Sequence, residues 1–317
     1  MYITLKKFYA HYQKISMIEV FFAFALLASA ISTNKIILAT LSPIFFVGIR
    51  MLIAGTILFA IAYAKGQSFN KLSIRRDALT LLFITICTTY LPSILKAYAL
   101  KYMPSSKAAF FGTLDPFVTA FYTYMLFNEK LTLRKIIGMS LGCIGAFILL
   151  RSTTFTQESW PTIFIFSFPE IAALLAVILG RYGWISIQLL LRQNKYTPLQ
   201  INAITMFGSG VISLITSWFI DTDWNFQFPV TSWLLLFAVY TIIIGNVIAL
   251  TLYATFLKYY SSIFLSLASF SVPLFVHFYG WVYLGEPLSF IFFLSLIFTF
   301  LGLYIFYSDK REQIINH

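Results

Sequence analysis

Four ionisable side chains interrupt long apolar stretches of this sequence, and they are the residues best placed to do chemistry: Arg50, Lys96, Asp115 and Arg181. A charge at the centre of a bilayer costs at least about 2.5–3.5 kcal/mol on insertion scales. Such a residue therefore lines a polar cavity, pairs with another charge or extends to an interface. Three cations beside one clear acid predict a neutral to positive cavity, which favours a ligand with a carboxylate or a phosphate.

Asp115 lies near the middle of its apolar segment, too far from either end to reach water. Thr119 and Tyr122 follow it at i+4 and i+7 and therefore share its helical face. Pro116 removes a backbone donor and loosens the preceding turn. We interpret this face as part of a substrate cavity, or Asp115 as a proton-coupling carboxylate. The alternative is a structural ion pair with Arg50 or Lys96.

The apolar segment 169–191 carries a second polar stripe. Glu170, Arg181 and Gln188 are separated by 11 and 7 residues, which places them within about 20° of one another on a helix. Trp184 lies about 40° from them. This stripe predicts that Arg181 and Trp184 contact substrate, whereas Glu170 is near enough to its end of the segment to extend to the interface.

Four further side chains complete the predicted site or its alternatives. Arg50 and Asn246 are predicted to contact substrate. Lys96, four residues after Pro92, either does the same or extends towards the interface. His277 ends a stripe of small hydroxyl residues that favours helix packing, and it is either a substrate ligand or a structural histidine.

The elements that position these residues follow from composition. Of 317 residues, 60% are hydrophobic and 10% charged, whereas a soluble domain has roughly 25% charged residues. A spanning helix needs about 20 apolar residues, so we predict an all-α membrane protein with ten transmembrane helices. The predicted spans are 17–38, 43–64, 78–100, 104–127, 132–150, 169–191, 198–220, 232–256, 260–284 and 288–307. The first could be a signal peptide with a cleavage site at Ala28-Ser29-Ala30, but its apolar run continues through Leu38, which favours a retained helix.

Several classes of function are disfavoured. Two cysteines without a Cys/His pattern indicate neither a disulfide framework nor a metal site. The net charge of +11 is scattered between apolar segments and does not indicate a nucleic-acid partner. Three histidines and the lack of a hydrolase or nucleotide-binding motif argue against an enzyme and against a bound cofactor.

Lys and Arg predict the orientation. With the N-terminus inside, fifteen of the 22 fall on the inside, four outside and three within spans. Basic residues are retained on the cytoplasmic side, so both termini are predicted to be cytoplasmic, in a multi-pass protein of the cell inner membrane.

The two halves of the chain align at a constant offset of 157 residues. This offset relates Lys101-Tyr102 to Lys258-Tyr259, Pro116 to Pro273, Glu129 to Glu286, Leu131 to Leu288, and Gly145 to Gly302. A repeat of five helices must insert its second copy upside down, and inverted repeats are typical of secondary transporters. We predict repeats at 1–152 and 153–317; chance agreement between two apolar segments is the alternative.

These motifs resemble a known family. Ser42-Pro43 with the stretch from Gly48 to Gly55, Asp115-Pro116, Asn128-Glu129-Lys130-Leu131, and Gly285-Glu286-Pro287-Leu288 are similar to the EamA type of the drug/metabolite transporter superfamily. The resemblance implies ten helices in a 5+5 inverted repeat, cytoplasmic termini and transport of small organic metabolites.

Together, the cationic cavity and the resemblance predict a secondary transporter that works by alternating access. The hypothesis for its substrate is a zwitterionic, amino-acid-like solute, such as S-adenosylmethionine or an amino acid. Aromatic side chains would supply ring faces for a flat or cationic group. The coupling partner is left open between a proton and a counter-substrate. The alternative function is a channel or a structural membrane subunit without turnover.

Overall fold

The computed structural model of the chain consists of helices throughout its described residues. These are residues 17–67, 69, 75–103, 105–128, 132–154, 167–221, 232–284 and 290–315. The ten helices are α1 (Met17–Leu38), α2 (Pro43–Ala64), α3 (Ala78–Thr85, Ile86–Tyr90 and Leu91–Tyr102), α4a (Ser105–Gly112) with α4b (Asp115–Phe127), α5 (Leu133–Thr154), α6 (Phe168–Arg192), α7 (Pro198–Ile220), α8 (Ser232–Tyr240, Thr241–Ala249 and Leu250–Tyr259), α9a (Ser262–Ala268) with α9b (Ser271–Leu284), and α10 (Phe290–Ile315).

The prediction of ten helices is confirmed, and α1, α2 and α7 begin and end at the predicted residues. Seven helices of the described chain are long and apolar enough to cross a membrane. A break leaves α4 in pieces of 8 and 13 residues, each too short to span alone. α1 is an integral part of the bundle, with Ala28 and Ile37 fully buried.

Local sequence explains where several helices start. Pro43, Pro169 and Pro198 occupy the first helical turn, where the missing N–H has no intrahelical partner to lose. α7 also has a capping box: Thr197 accepts a hydrogen bond from the Gln200 backbone, and the Gln200 side chain accepts one from the Thr197 backbone.

α2 and α7, which are equivalent helices of the two halves, pack closely and run antiparallel. A Cβ atom on Gly48 would lie 2.8 Å from Cδ2 of Leu214, and one on Gly210 would lie 2.6 Å from Cα of Leu52. Positions early in α2 thus meet positions late in α7. Small residues permit this approach of two backbones in lipid.

α5 and α10 form a second antiparallel pair of equivalent helices. A Cβ on Gly138 would lie 2.6 Å from the carbonyl oxygen of Gly302, and the Ser295 hydroxyl donates to the carbonyl of Gly145 at 2.7 Å. The GxxxG motif formed by Gly138 and Gly142 therefore serves helix packing. In an inverted repeat, equivalent helices of the two halves run in opposite directions. The antiparallel pairing of α2 with α7 and of α5 with α10 agrees with this predicted architecture.

Four other helices are interrupted, in pairs that the 157-residue offset relates. α3 has a π-helical segment at Ile86–Tyr90, and α8 has one at Thr241–Ala249. α4 is broken at residues 113–114 and α9 at 269–270. A π segment or a helix break leaves backbone groups without their usual helical partners, and such features recur at functional sites.

The helix ends define two sides of the bundle. We call the side on which α1 begins the near side, and the side on which α1 ends the far side. On the far side, Lys35 of α1 donates to the carbonyls of Leu100 and, at 2.7 Å, Met103, which close α3. On the near side, Gln188 of α6 donates to the carbonyls of Leu257 and Tyr260, at 2.9 and 2.8 Å, which close α8. The offset relates these two pairs of carbonyls, so each half ties its first helix to its third in the same way.

Near-side loops are joined by polar contacts. The Tyr196 hydroxyl donates to Oδ2 of Asp77 at 3.2 Å. Burial and the neighbouring carboxylate both raise the pKa of Tyr196, because each disfavours a charged phenolate.

Parts of the predicted repeat lie outside the described residues: the motif at Glu129, Lys130 and Leu131 and its counterpart at Gly285, Glu286, Pro287 and Leu288. The division of the repeats at 152/153 stays a prediction.

Candidate functional site

A cavity of about 290 Å³ lies between α1, α2, α3, α4, α6, α8 and α9. Small-molecule sites typically measure roughly 300–1000 Å³, so this one suits a compact metabolite. Its wall is mainly apolar, as such sites usually are. The side chains that supply its polarity are Asn34, Arg50, Thr88, Thr89, Ser93, Lys96, Asp115, Arg181, Trp184, Asn246, Tyr253 and Ser269.

The interrupted helices bring much of this polarity to the cavity wall. The π segment of α3 contributes Thr88 and Thr89, and that of α8 contributes Gly245 and Asn246. The offset of 157 relates the first pair to the second. The breaks of α4 and α9 also face the cavity, with Asp115 and Ser269 at their edges. The site therefore lies at the interface of the two repeats.

Asp115 and Arg181 form a buried ion pair on this wall. Oδ1 of Asp115 lies 3.1 Å from Nε of Arg181, and the two side chains are 10% and 8% exposed. Nη1 of Arg181 also donates to the Tyr253 hydroxyl at 2.9 Å. The pair joins α4b to α6, so Asp115 has a structural partner, but this partner is Arg181 and neither Arg50 nor Lys96.

Three aromatic side chains form the near-side floor of the cavity. The ring of Tyr253 meets that of Trp184 edge to face at 4.7 Å and that of Phe24 at 6.0 Å. All three line the cavity. The arrangement presents ring faces and edges to a ligand, and a flat or cationic group can pack against them.

Arg50 occupies another part of the wall, on α2. Its guanidinium carbon lies 5.1 Å from the centre of the Phe46 ring. Its Nε is buried and has no hydrogen-bond acceptor in the described part of the chain. Beside it, the amide of Asn246 donates to the sulfur of Met51 at 3.1 Å, a weak acceptor.

Lys96 differs from Arg50 in its surroundings. It lines the cavity, yet it is exposed, whereas Arg50 is half-buried. Water in the cavity can therefore hydrate its ammonium group. The alternative that Lys96 extends towards the membrane interface stays a prediction.

A second buried ion pair, between Lys107 and Glu170, was missed by the sequence prediction. Nζ of Lys107 lies 2.7 Å from Oε1 of Glu170, with side-chain exposures of 7% and 6%. Ser167 also donates to Glu170. The sequence leaves open whether Glu170 extends to the interface, and Lys107 is one of the four basic residues counted on the outside. The pair instead joins α4a to α6, next to the cavity-lining residues Ala108 and Ala173.

Two of the eight predicted site residues lie away from the cavity. Tyr122 packs edge to face against Tyr182, with ring centres 5.4 Å apart. His277 stacks on Phe292 of α10, with ring centres 5.4 Å apart. The other six line the cavity together: Arg50, Lys96, Asp115, Arg181, Trp184 and Asn246.

On its near side the cavity is closed by a dense apolar cluster. Ile187 and Leu191 of α6, Leu257 of α8 and Leu265 of α9 are all fully buried there. Gln188 strengthens this region by accepting a hydrogen bond from Ser262 at the start of α9a. The cavity therefore lies between this seal and the far side.

The described residues do not form a candidate metal-binding site. In the part of the chain that the structure describes, no group of three His, Cys, Asp or Glu side chains is placed to hold a metal ion. The charged and polar lining can bind a small charged organic molecule.

Comparison with known proteins identifies relatives along nearly the whole chain. The model of the EamA-like transporter family matches residues 14–151 and, a second time, residues 167–308. A Chlamydia muridarum (strain MoPn / Nigg) protein named S-adenosylmethionine/S-adenosylhomocysteine transporter is 30% identical over 292 residues, which cover 90% of this chain and 89% of that protein. A Chlamydia trachomatis serovar L2 protein with the same name is 30% identical over 293 residues, covering 90% of this chain and 87% of that protein.

The fold also matches that of a solved crystal structure. The TM-score is 0.76, with 93% of this chain and 97% of the other covered, at 17% sequence identity. At that identity the match shows the fold alone.

Proposed function

Because this chain belongs to the EamA-like transporter family, we propose that it carries S-adenosylmethionine and S-adenosylhomocysteine across the membrane. Two relatives that match nine-tenths of the chain bear the name of that activity. The two solutes share an adenosyl group and an amino-acid head, and they differ by one methyl group and the positive charge of the sulfonium. A carrier for both must recognise the shared parts.

The observation that carries this proposal is that the cavity wall holds both a group of aromatic rings and an excess of positive charge. Phe24, Trp184 and Tyr253 suit the flat adenine ring. Among the lining residues that the structure describes, Asp115 is the one acid beside Arg50, Lys96 and Arg181, which leaves an excess of two positive charges. That excess favours a solute with a carboxylate.

Alternating access follows from the symmetry of the fold. Buried apolar residues close the near side of the cavity, and we propose that substrate enters this state from the far side. Rocking of the two repeats would close the far side and open the near side. The interruptions in α3, α4, α8 and α9 supply the deformable segments for this motion.

We place the protein in the cytoplasmic membrane with the near side facing the cytoplasm. Ten crossings return the chain to the side on which it began. Basic residues are concentrated on that side, as the positive-inside rule requires. The state described here is then open towards the outside.

Counterflow in proteoliposomes tests the function. Vesicles containing the purified protein and loaded with S-adenosylhomocysteine should take up external radiolabelled S-adenosylmethionine faster than unloaded vesicles, and the uptake should saturate. Protein-free vesicles give the background. The exposed residue Arg192 offers a control variant, Arg192→Gln, that should transport like the wild type.

Two results would contradict this function. Uptake that rises linearly with concentration and ignores the internal solute would indicate a channel. Counterflow with free methionine or another amino acid, together with indifference to both adenosyl compounds, would indicate an amino-acid carrier.

A further inference from the structure

We infer that Arg50 is the receptor for the substrate's carboxylate, in a subsite separate from the Asp115–Arg181 pair. The inference rests on the proposed function for the identity of the test ligand, but its physical basis is the unmet hydrogen-bonding capacity of Arg50. The ligand class is an α-amino acid or a derivative with a free carboxylate.

The first argument is that Arg50 lacks an acceptor that its burial demands. Its Nε is buried and unpaired, and among the described residues it forms no ion pair. Its one close neighbour of note is the Phe46 ring, which stabilises the cation without accepting a directed hydrogen bond. Arg50 as a whole is half-buried, but its Nε is fully buried, and a buried N–H group without an acceptor is costly. A carboxylate entering the cavity would supply two oxygens in the geometry that guanidinium binds best.

The second argument is that the other two cations of the cavity have less need of such a partner. Arg181 is already paired with Asp115 and donates to Tyr253, so a ligand carboxylate there would compete with the carboxylate of Asp115. Lys96 is exposed within the cavity and can be hydrated when no ligand is bound.

The third argument is that a complementary acceptor lies at a similar depth on the preceding helix, which also lines the cavity. Asn34 of α1 also lines the cavity, and its Oδ1 is buried without a donor. Asn34 lies near the far end of α1 and Arg50 in the far half of α2. At 1.5 Å per residue their levels differ by about 4–5 Å. An amino-acid head has a carboxylate for Arg50 and, one carbon away, an ammonium that can donate to Asn34.

The fourth argument is that Arg50 is held on a rigid support. Leu52 of α2 faces Gly210 of α7, and Gly48 faces Leu214, at distances that leave no room for a Cβ on either glycine. These contacts flank Arg50 in the sequence. A receptor group on a fixed helix binds with little loss of backbone entropy.

The experiment compares two ligands that differ only in the carboxylate. Binding of S-adenosylhomocysteine and of its decarboxylated analogue is measured calorimetrically on the purified full-length protein. The wild type should bind S-adenosylhomocysteine about 10–100-fold more tightly, which is the usual effect of a charge-assisted hydrogen bond. Arg50→Gln should remove most of this preference and change the affinity for the decarboxylated analogue less than about threefold. Arg192→Gln should retain the wild-type preference.

A measurement on the wild type alone guards against a variant that fails to fold. Phenylglyoxal modifies arginine, and mass spectrometry of the peptide that contains Arg50 reports its extent. S-adenosylhomocysteine should protect Arg50, and the decarboxylated analogue should not. Equal protection by both ligands, or a carboxylate preference that survives in Arg50→Gln, would overturn the inference.

Failure of the proposed function has a different signature. If the wild type binds neither S-adenosylmethionine nor S-adenosylhomocysteine, that function is wrong. The protection assay is then repeated with free amino acids as probes. Protection of Arg50 by any of them would support the carboxylate subsite, and no protection by any carboxylate would refute it.

Discussion

Replacing Asp115 by Asn tests whether its ion pair with Arg181 stabilises the contact between α4b and α6. Asn has nearly the same size and shape as Asp but no charge. In the variant, the buried guanidinium of Arg181 keeps the Tyr253 hydroxyl as a partner but loses its counter-charge. Removing one member of a buried pair typically costs about 3–5 kcal/mol, since the remaining charge is uncompensated.

The double variant Asp115→Asn/Arg181→Gln gives the sharper result. With both charges removed, no buried charge remains unpaired, so the loss should be smaller than the sum of the two single losses by about 2–3 kcal/mol. A change of 1 kcal/mol shifts Tm by about 2–4 °C in chains of 150–250 residues. Asp115→Asn should therefore lower Tm by on the order of 10 °C.

The assay is thermal unfolding of the purified full-length protein in detergent, followed by intrinsic fluorescence. Glu19 lies exposed on α1, so Glu19→Gln controls for the loss of an acid and should leave Tm within about 1 °C. Strictly additive losses in the double variant would refute the reasoning, because they would show that the two charges do not interact.

Four other variants probe the framework, one of them as a control. Gly302→Ala should lower Tm markedly, because its Cβ would lie 2.5 Å from a carbonyl oxygen of α5, whereas Gly112→Ala, with no atom within 4 Å, should change Tm little. Gln188→Leu should cost about 1–3 kcal/mol for each of the two carbonyls that lose their donor, measured as a fall in Tm. In Tyr196→Phe, the loss of Tm at alkaline pH should be smaller than in the wild type. The pKa of Tyr196 is raised in the folded protein. The un-ionised phenol therefore contributes its full stabilisation below a pH of about 10, the ordinary pKa of tyrosine, and this contribution is lost as the pH rises through the raised pKa.

The helices and the charged residues of the site could be predicted because a bilayer strongly disfavours short apolar spans and charges that face lipid. About 20 apolar residues are needed for each span, which fixed both ends of α2 and α7. A charge within a span must face protein or water, and this argument identified Arg50, Asp115 and Arg181 as residues of the interior. Their contact with substrate stays a prediction.

The other features of the site depend on contacts between helices, and the residue pattern of a single helix does not reveal those contacts. Tyr122 shares the face of Asp115, but it lies seven residues, or about 10 Å, further along the helix, where it packs against Tyr182 instead of lining the cavity. The pairing of Lys107 with Glu170 was missed because it depends on the contact between α4a and α6, and the sequence of either helix alone does not show which helix packs against it. The π segments that present Thr88 and Asn246 have no established sequence signature.

The glycine contacts of α2 with α7 and of α5 with α10 have a consequence for how such a protein diversifies. Each pair contains one helix from each repeat, so the two pairs hold the repeats together while the repeats tilt. The glycines at these contacts, Gly48, Gly210, Gly138 and Gly302, do not line the cavity. Packing of the repeats and substrate specificity therefore depend on different residues, and substitutions in the cavity wall can change the substrate while the helix contacts stay unchanged.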